Sequence, residues 1–317
     1  MRVLVTGGTG YLGRAIVSAL VDAGDWPVVF ARHASTSGLP GTLVDGDIRD
    51  PNAVEAALEE CDAVCHAAAL VAVWRENPRE FDEVNVGGLR NVLSAARRRH
   101  IARIVYTSSF LALPPAGRTA PLAANDYQRT KVAARAVALE ASAAGEPVVC
   151  VCPGVIYGPG VRTQGNLVGG LVADAVAGRL PGLVGPGRTW SYSFVADVAA
   201  GHVAALRSGL PGTEYGLGGP NLPQRRVFEL LREARGVGIP PTIPYALASM
   251  IGAVEELRAR LSGHEPLVTR GAVEIFRHDW PVDSTTAMAD LGYRITPLEE
   301  GFRLMLADLA GDSSSGR

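Results

Sequence analysis

The chain has 317 residues, 47% of them hydrophobic, and a formal net charge of −2. That length can bury one large core, or a core with a smaller appendage. The near-neutral balance predicts neither nucleic acid nor a membrane as partner, and no apolar run reaches the length of a membrane span. Met1 stands so close to the first apolar segment that no signal peptide fits, which predicts a cytoplasmic protein.

Residues 2–6, Arg-Val-Leu-Val-Thr, read as a buried strand, and a helical pattern sets in at Arg14. Between them Gly7, Gly10 and Gly13 recur at a spacing of three. Strand, glycine turn and helix N-terminus together make an anion site. Gly7 permits a tight turn, Gly10 lets a pyrophosphate approach the backbone, and Gly13 lets the helix pack close to the strand. Gly7, Thr9, Gly10, Tyr11, Leu12 and Gly13 are therefore the predicted cradle of a dinucleotide.

Further strands are predicted at residues 27–31, 41–45, 63–67, 104–108 and 148–152, with helices at 51–60, 81–100 and 127–144 between them. This alternation predicts an α/β fold, a doubly wound parallel sheet of the Rossmann type. Arg32 follows the second strand, where an acidic residue would accept a ribose 2′-hydroxyl. An arginine there can pair with a 2′-phosphate, so NADP(H) is predicted ahead of NAD(H). Cys61, Cys65, Cys150 and Cys152 lie in or beside apolar segments and read as buried thiols. No metal site is predicted, because His66 beside Cys65 has no second pair at ligand spacing.

The strand at 104–108 ends in Ser108 and Ser109. Tyr127 and Lys131, four residues apart, share one helix face. A free tyrosine titrates near pH 10 and is a poor base at neutral pH. A neighbouring ammonium favours its phenolate, and a serine hydroxyl can hold the same substrate oxygen, which suits proton transfer during hydride transfer. A lone Tyr-x-x-x-Lys also describes a surface pair. Its meaning here comes from its order after the glycine turn and the serines.

After Gly158 the pattern breaks into shorter pieces. We expect a dinucleotide-binding domain over residues 1–158, a smaller and mostly helical substrate-binding lobe over 159–310, and a disordered tail over 311–317. A later strand is expected to return to the large sheet. Trp190, Tyr192 and Phe194 alternate as one aromatic strand face, either core or substrate lining. Asp197 is expected to cap the helix that follows it, and the run 97–100 to be a solvated basic helix end.

Taken in order, these motifs resemble the extended short-chain dehydrogenase/reductase family. They are Thr6-Gly-Gly-Thr-Gly-Tyr-Leu-Gly13, Gly46-Asp-Ile48, His66-Ala-Ala68, Asn85-Val-Gly-Gly88, Tyr106-Thr-Ser-Ser109, Tyr127 with Lys131, Pro153-Gly-Val-Ile-Tyr-Gly-Pro159, Val195-Ala-Asp-Val-Ala199 and Asp290-Leu-Gly-Tyr293. Within that family the chain looks most like the dihydroflavonol-reductase-like and 3β-hydroxysteroid-dehydrogenase-like branch. The resemblance implies that Asp47 and Ile48 flank the adenine, and that Ala67 and Ala68 line the pyrophosphate and ribose path. Pro153 and Val155 would edge the nicotinamide. Tyr127 would exchange the proton, Lys131 would bind the ribose and tune Tyr127, and Ser109, with Ser108 as its competitor, would be the serine. Asn85 matches the family's helix asparagine. A homodimer through helices of the large domain is the family's default.

The chain departs from the family's sugar enzymes in two places. Phe110-Leu-Ala follows the serines, where many epimerases carry a small residue and a threonine. Trp190 stands seven residues before Asp197, where nucleotide-sugar relatives carry a diphosphate-binding arginine. The sequence therefore predicts a reductase of small apolar or aromatic carbonyls. Arg188 and Arg162 keep a nucleotide-sugar epimerase or dehydratase as the alternative, and a non-catalytic dinucleotide sensor is a third reading.

Overall fold

The structure, a computed structural model, describes residues 1–314. Strands β1 (Arg2–Thr6), β2 (Trp26–Ala31), β3 (Thr42–Asp45), β4 (Ala63–His66), β5 (Arg103–Thr107), β6 (Val148–Pro153) and, much later, β9 (Glu214–Leu217) form one sheet. Its order is β3-β2-β1-β4-β5-β6-β9, and every neighbouring pair is parallel. The central strands are continuous apolar runs because both sheet faces are covered.

One face carries α1 (Tyr11–Asp22), α7 (Val195–Ser208) and α11 (Thr285–Leu291). Ile16, Val17 and Leu20 meet Val198 and Leu206 there over Val3, Val5 and Val105. The other face carries α2 (Pro51–Ala57), α4 (Gly88–Arg98) and α5 (Asp126–Ala143). Val54, Leu89, Val92 and Ala134 pack there over Leu4, Val64 and Ile104. The parallel order reverses direction between β1 and β4, so the crevice for a ligand opens at their carboxyl ends.

A second sheet runs β10 (Asn221–Pro223), β8 (Thr189–Phe194), β7 (Val155–Tyr157), with β7 and β8 parallel and β8 and β10 antiparallel. Helices α6 (Leu167–Val176), α8 (Arg225–Arg235), α9 (Tyr245–Ser262), α10 (Arg270–Ile275) and α12 (Leu298–Ser314) complete this part. The period of two along β8 divides its residues. Trp190, Tyr192 and Phe194 enter an aromatic core with Tyr157, Phe110 and Trp280. Ser191 and Ser193 turn the other way and donate to the carbonyls of Gly219 (3.3 Å) and Leu217 (2.8 Å), joining the two sheets.

Four local expectations are corrected. The helix after the glycine turn begins at Tyr11 rather than Arg14. The single helix expected at 81–100 is interrupted: a short helix α3 (Arg79–Phe81) leads into a π-helical stretch, Asp82–Gly87, before α4. Helix α7, expected in the second lobe, lies in the large-sheet layer, to which β9 returns as the expected later strand. Helix α12 runs to Ser314, so residues 311–314 continue a helix where disorder was expected; residues 315–317 lie outside the described residues. Among the described residues, no helix is long and apolar enough to cross a membrane.

Candidate active site

The glycine turn closes on itself. Gly7 adopts φ +69° and donates its N–H to the Phe30 carbonyl (2.9 Å), and a Cβ on it would sit 2.7 Å from Ala68 Cα. A Cβ on Gly13 would land on the Gly7 carbonyl oxygen. Gly10 is the N-cap of α1 and offers no side chain, and the first turn holds no acidic residue. The leading N–H groups of α1, at Tyr11, Leu12 and Gly13, thus face the crevice with positive polarity and no acidic residue in their own turn. Thr9 accepts at its carbonyl from Arg14 Nε (3.1 Å), and Tyr11 donates its hydroxyl to the Gly158 carbonyl (3.0 Å). Thr6 Oγ1 hydrogen-bonds His66 Nδ1 (2.7 Å) and accepts from the Ala68 N–H (3.3 Å), fixing Ala67 and Ala68 across the turn. This donor set and its steric closure fit a dinucleotide diphosphate. Gly13→Ala is expected to lower the melting temperature and weaken NADPH, because overpacking of this kind costs about 1–3 kcal/mol. Unchanged melting and titration curves would contradict that fit.

At the far end of the crevice Arg32 is exposed and, among the described residues, makes no ion pair. Asp47 accepts from Arg49 at 2.7 and 3.0 Å, and that guanidinium holds its carboxyl below the usual range. Ile48 is buried under α4, where a Cβ on Gly88 would meet it, and its carbonyl accepts from Asn91 (3.0 Å).

The serine–tyrosine–lysine group converges where β5 ends. Ser109 is extended and caps the 3-10 turn Phe110–Ala112, accepting from the Leu111 N–H (3.2 Å). Asn125 caps α5 by accepting from the Gln128 N–H (2.8 Å), which sets Tyr127 in the first turn. Burial pushes the Tyr127 phenol up to about 12, and the facing Ser109 hydroxyl opposes that rise. Ser108 points elsewhere: its hydroxyl is buried beside the Cys152 thiol. Lys131 is buried and donates Nζ to the Thr107 carbonyl (2.9 Å), with Nζ 5.4 Å from the centre of the Tyr106 ring. Burial draws its ammonium down to about 8. In this geometry Lys131 is turned to Thr107, and burial dominates the Tyr127 phenol.

Around this group, Val155 pairs with Tyr192 across β7 and β8, and Pro153 ends β6. Trp190 and Tyr192 are buried in the aromatic cluster rather than open to solvent. Trp190 stacks on Phe276 with centroids 4.8 Å apart, lies 6.0 Å from Phe110, and spends its indole N–H on the His278 carbonyl. Tyr127 packs against the same cluster. Asn85 spends its amide on the structure: Oδ1 accepts from the Leu70 N–H (2.7 Å) and Nδ2 donates to Thr130 Oγ1 (3.0 Å). Asp197 is not a cap; α7 starts at Val195, and Asp197 accepts from the Thr296 N–H (2.7 Å) and hydroxyl (2.9 Å). Sequence reading missed Gln128. It is fully buried, accepts from the Ala124 N–H (3.0 Å) and donates to the Leu111 carbonyl (3.1 Å), locking the serine turn to the tyrosine helix. The signal was present as Asn125-x-x-Gln128, a capping pattern.

Fold and crevice define a dinucleotide-binding protein of the oxidoreductase kind. The profile described as "NAD dependent epimerase/dehydratase family" matches residues 3–218. The chain belongs to that family, and its matches include extended short-chain dehydrogenases/reductases. It is 32% identical over 335 residues to the 2-alkyl-3-oxoalkanoate reductase of Stenotrophomonas maltophilia, covering 98% of this chain and 100% of that protein. It is 30% identical over 322 residues to sterol demethylase protein B of Methylococcus capsulatus, covering 95% and 96%. The Thermus thermophilus UDP-glucose 4-epimerase in complex with NAD superposes with a TM-score of 0.76 at 27% identity, covering 98% and 99% of the two chains.

Proposed function

We propose that this protein is an NADP(H)-dependent oxidoreductase that interconverts a carbonyl and a secondary alcohol on a small apolar or aromatic substrate. The observation that carries the reading is the Tyr127 hydroxyl, faced by Ser109 at the edge of an aromatic cluster. One relative's name runs in the same direction, a 2-alkyl-3-oxoalkanoate reductase.

Bound NADP(H) supplies or accepts the hydride. The turn from Gly7 to Gly13 holds its diphosphate, Arg32 its 2′-phosphate, and Lys131 the nicotinamide ribose. Asp47 borders the adenine, Ala67 and Ala68 line the path, and Pro153 and Val155 edge the nicotinamide. Tyr127 gives its proton to the substrate oxygen in reduction and takes it back in oxidation, while Ser109 donates a hydrogen bond to that oxygen. Gln128 is a positioning residue that keeps the two hydroxyls in register. The same reading has the protein work in the cytoplasm as a homodimer.

The epimerase reading draws on the Thermus relative and on Arg162, which is exposed and without an ion pair among the described residues. Arg188 is a weaker diphosphate ligand because Asp279 holds it at 3.1 Å. A panel of aryl and alkyl ketones, followed by NADPH absorbance, is expected to give net cofactor oxidation. Calorimetry of the NADP-loaded enzyme with UDP- and dTDP-sugars is expected to show no binding. Micromolar sugar-nucleotide affinity that disappears in Arg162→Ala or Arg188→Ala would restore the epimerase. NADPH binding with no turnover on any carbonyl or sugar nucleotide would leave a sensor.

A further inference from the structure

Helix α9 turns the usual amphipathic pattern outward. Its inward face is small, with Ala248, Gly252 and Ala259 buried, and a Cβ on Gly252 would press on the backbone of Thr269 and Arg270. Its outward face carries Leu247, Met250, Ile251, Val254, Leu257 and Leu261, all exposed, with Val254 at 61% and Leu261 at 81%. At 100° per residue they span about a third of the helix circumference. Leu267, 86% exposed, follows in the next loop. A patch this continuous on one element marks an interaction surface.

The charges around the stripe indicate what it meets. Both acids of α9 are engaged: Glu255 with Arg258 (2.7 Å) and the Leu267 N–H (3.0 Å), Glu256 with Arg270 (2.8 Å). Arg260 lies just outside the apolar arc and makes no ion pair among the described residues, while Arg258 projects within the arc, paired with Glu255. A second copy of this helix would offer the same arginines and no free acid to meet them. An anionic lipid surface offers acyl chains to the stripe and a phosphate to Arg260 beside it.

The stripe also adjoins the crevice. Glu265, in the loop after α9, contacts Gln164 (3.0 Å) and Arg75 (3.7 Å), and Arg75 itself donates to Gln164 (3.3 Å). Those two partners lie in the loops after β4 and β7, at the carboxyl ends of the strands. Val73 and Val161, in the same loops, are exposed as well. A Cβ on Gly271, at the start of α10, would press on Ala124 and Asn125, just ahead of Tyr127.

We propose that the outward face of α9, with Leu267, is a peripheral docking site for an anionic lipid membrane, on which the protein lies with its crevice rim beside the bilayer. Net charge and the lack of a spanning segment, which predicted no membrane partner, average over the whole surface or test only for crossing. Neither bears on a helix that lies in the interface.

Vesicle flotation of the full chain tests this. The protein is expected to float with phosphatidylcholine–phosphatidylglycerol vesicles, and far less with phosphatidylcholine alone. The double variant Leu257→Ser/Leu261→Ser, whose melting temperature and NADPH titration verify its fold, is expected to bind the anionic vesicles about tenfold more weakly or worse. Arg260→Glu is expected to lower binding to the anionic vesicles about fivefold or more, and to leave binding to phosphatidylcholine unchanged. Wild-type protein that stays with the soluble fraction, or a leucine variant that floats like wild type, overturns the proposal. So does a wild-type dimer that ignores vesicles and becomes monomeric in the leucine variant, which would give the face to a second copy.

Discussion

Tyr127→Phe is expected to lower turnover about 10²- to 10⁴-fold, the usual contribution of a positioned acid or base, while NADPH still binds. The substitution keeps the ring that packs on the aromatic cluster and removes only the hydroxyl facing Ser109. Because burial holds that phenol near 12, it is protonated throughout the neutral range and enters a reduction already as the acid. Lys131→Ala should reduce both turnover and cofactor affinity, since the ammonium is the proposed ribose ligand. The check is steady-state turnover on an active ketone beside NADPH titration by fluorescence. Near-wild-type turnover in Tyr127→Phe would falsify the assignment.

Arg32→Ala is expected to weaken NADPH about 10- to 150-fold and leave NADH almost unchanged. A charge-assisted hydrogen bond to a phosphate is worth about 1.5–3 kcal/mol. The surroundings leave Arg32 available. Asp47 is committed to Arg49, and Asp45 accepts from the Ser35 N–H (2.8 Å) and hydroxyl (2.6 Å). The Arg49 guanidinium thus offsets the Asp47 charge, whereas the Ser35 hydrogen bonds keep the Asp45 carboxylate ionised. Paired titrations of wild type and variant with NADPH and NADH decide it. Equal losses for both cofactors, or a wild-type preference for NADH, would remove the 2′-phosphate role.

The parts of the fold written in short-range pattern were legible in the sequence. The strands at 2–6, 27–31 and 148–152 lie within a residue of β1, β2 and β6, because a strand buried on both faces is a plain apolar run. The glycine turn was legible because its constraint is steric and local. Features decided by distant partners were not. The π-helical stretch hides inside an ordinary helical pattern. Asp197 looks like a cap until Thr296, 99 residues later, is seen to occupy it. The serine pair could be divided only by seeing that Ser109 faces Tyr127 and Ser108 faces Cys152. The orientation of Lys131 toward Thr107 is likewise a tertiary fact, with nothing at i+4 spacing to announce it.

The π-helical stretch has a mechanical consequence. One extra residue in that turn swings Asn85 inward, so that a single buried amide grips the Leu70 backbone on one side and Thr130 on the other. Leu70 belongs to the segment leaving β4, and Thr130 lies between Tyr127 and Lys131 on α5. The segment beside the glycine turn and the helix of the proton donor are thereby bolted to one strut. One amide thus sets the spacing between the chain leaving β4 and the helix that carries Tyr127 and Lys131.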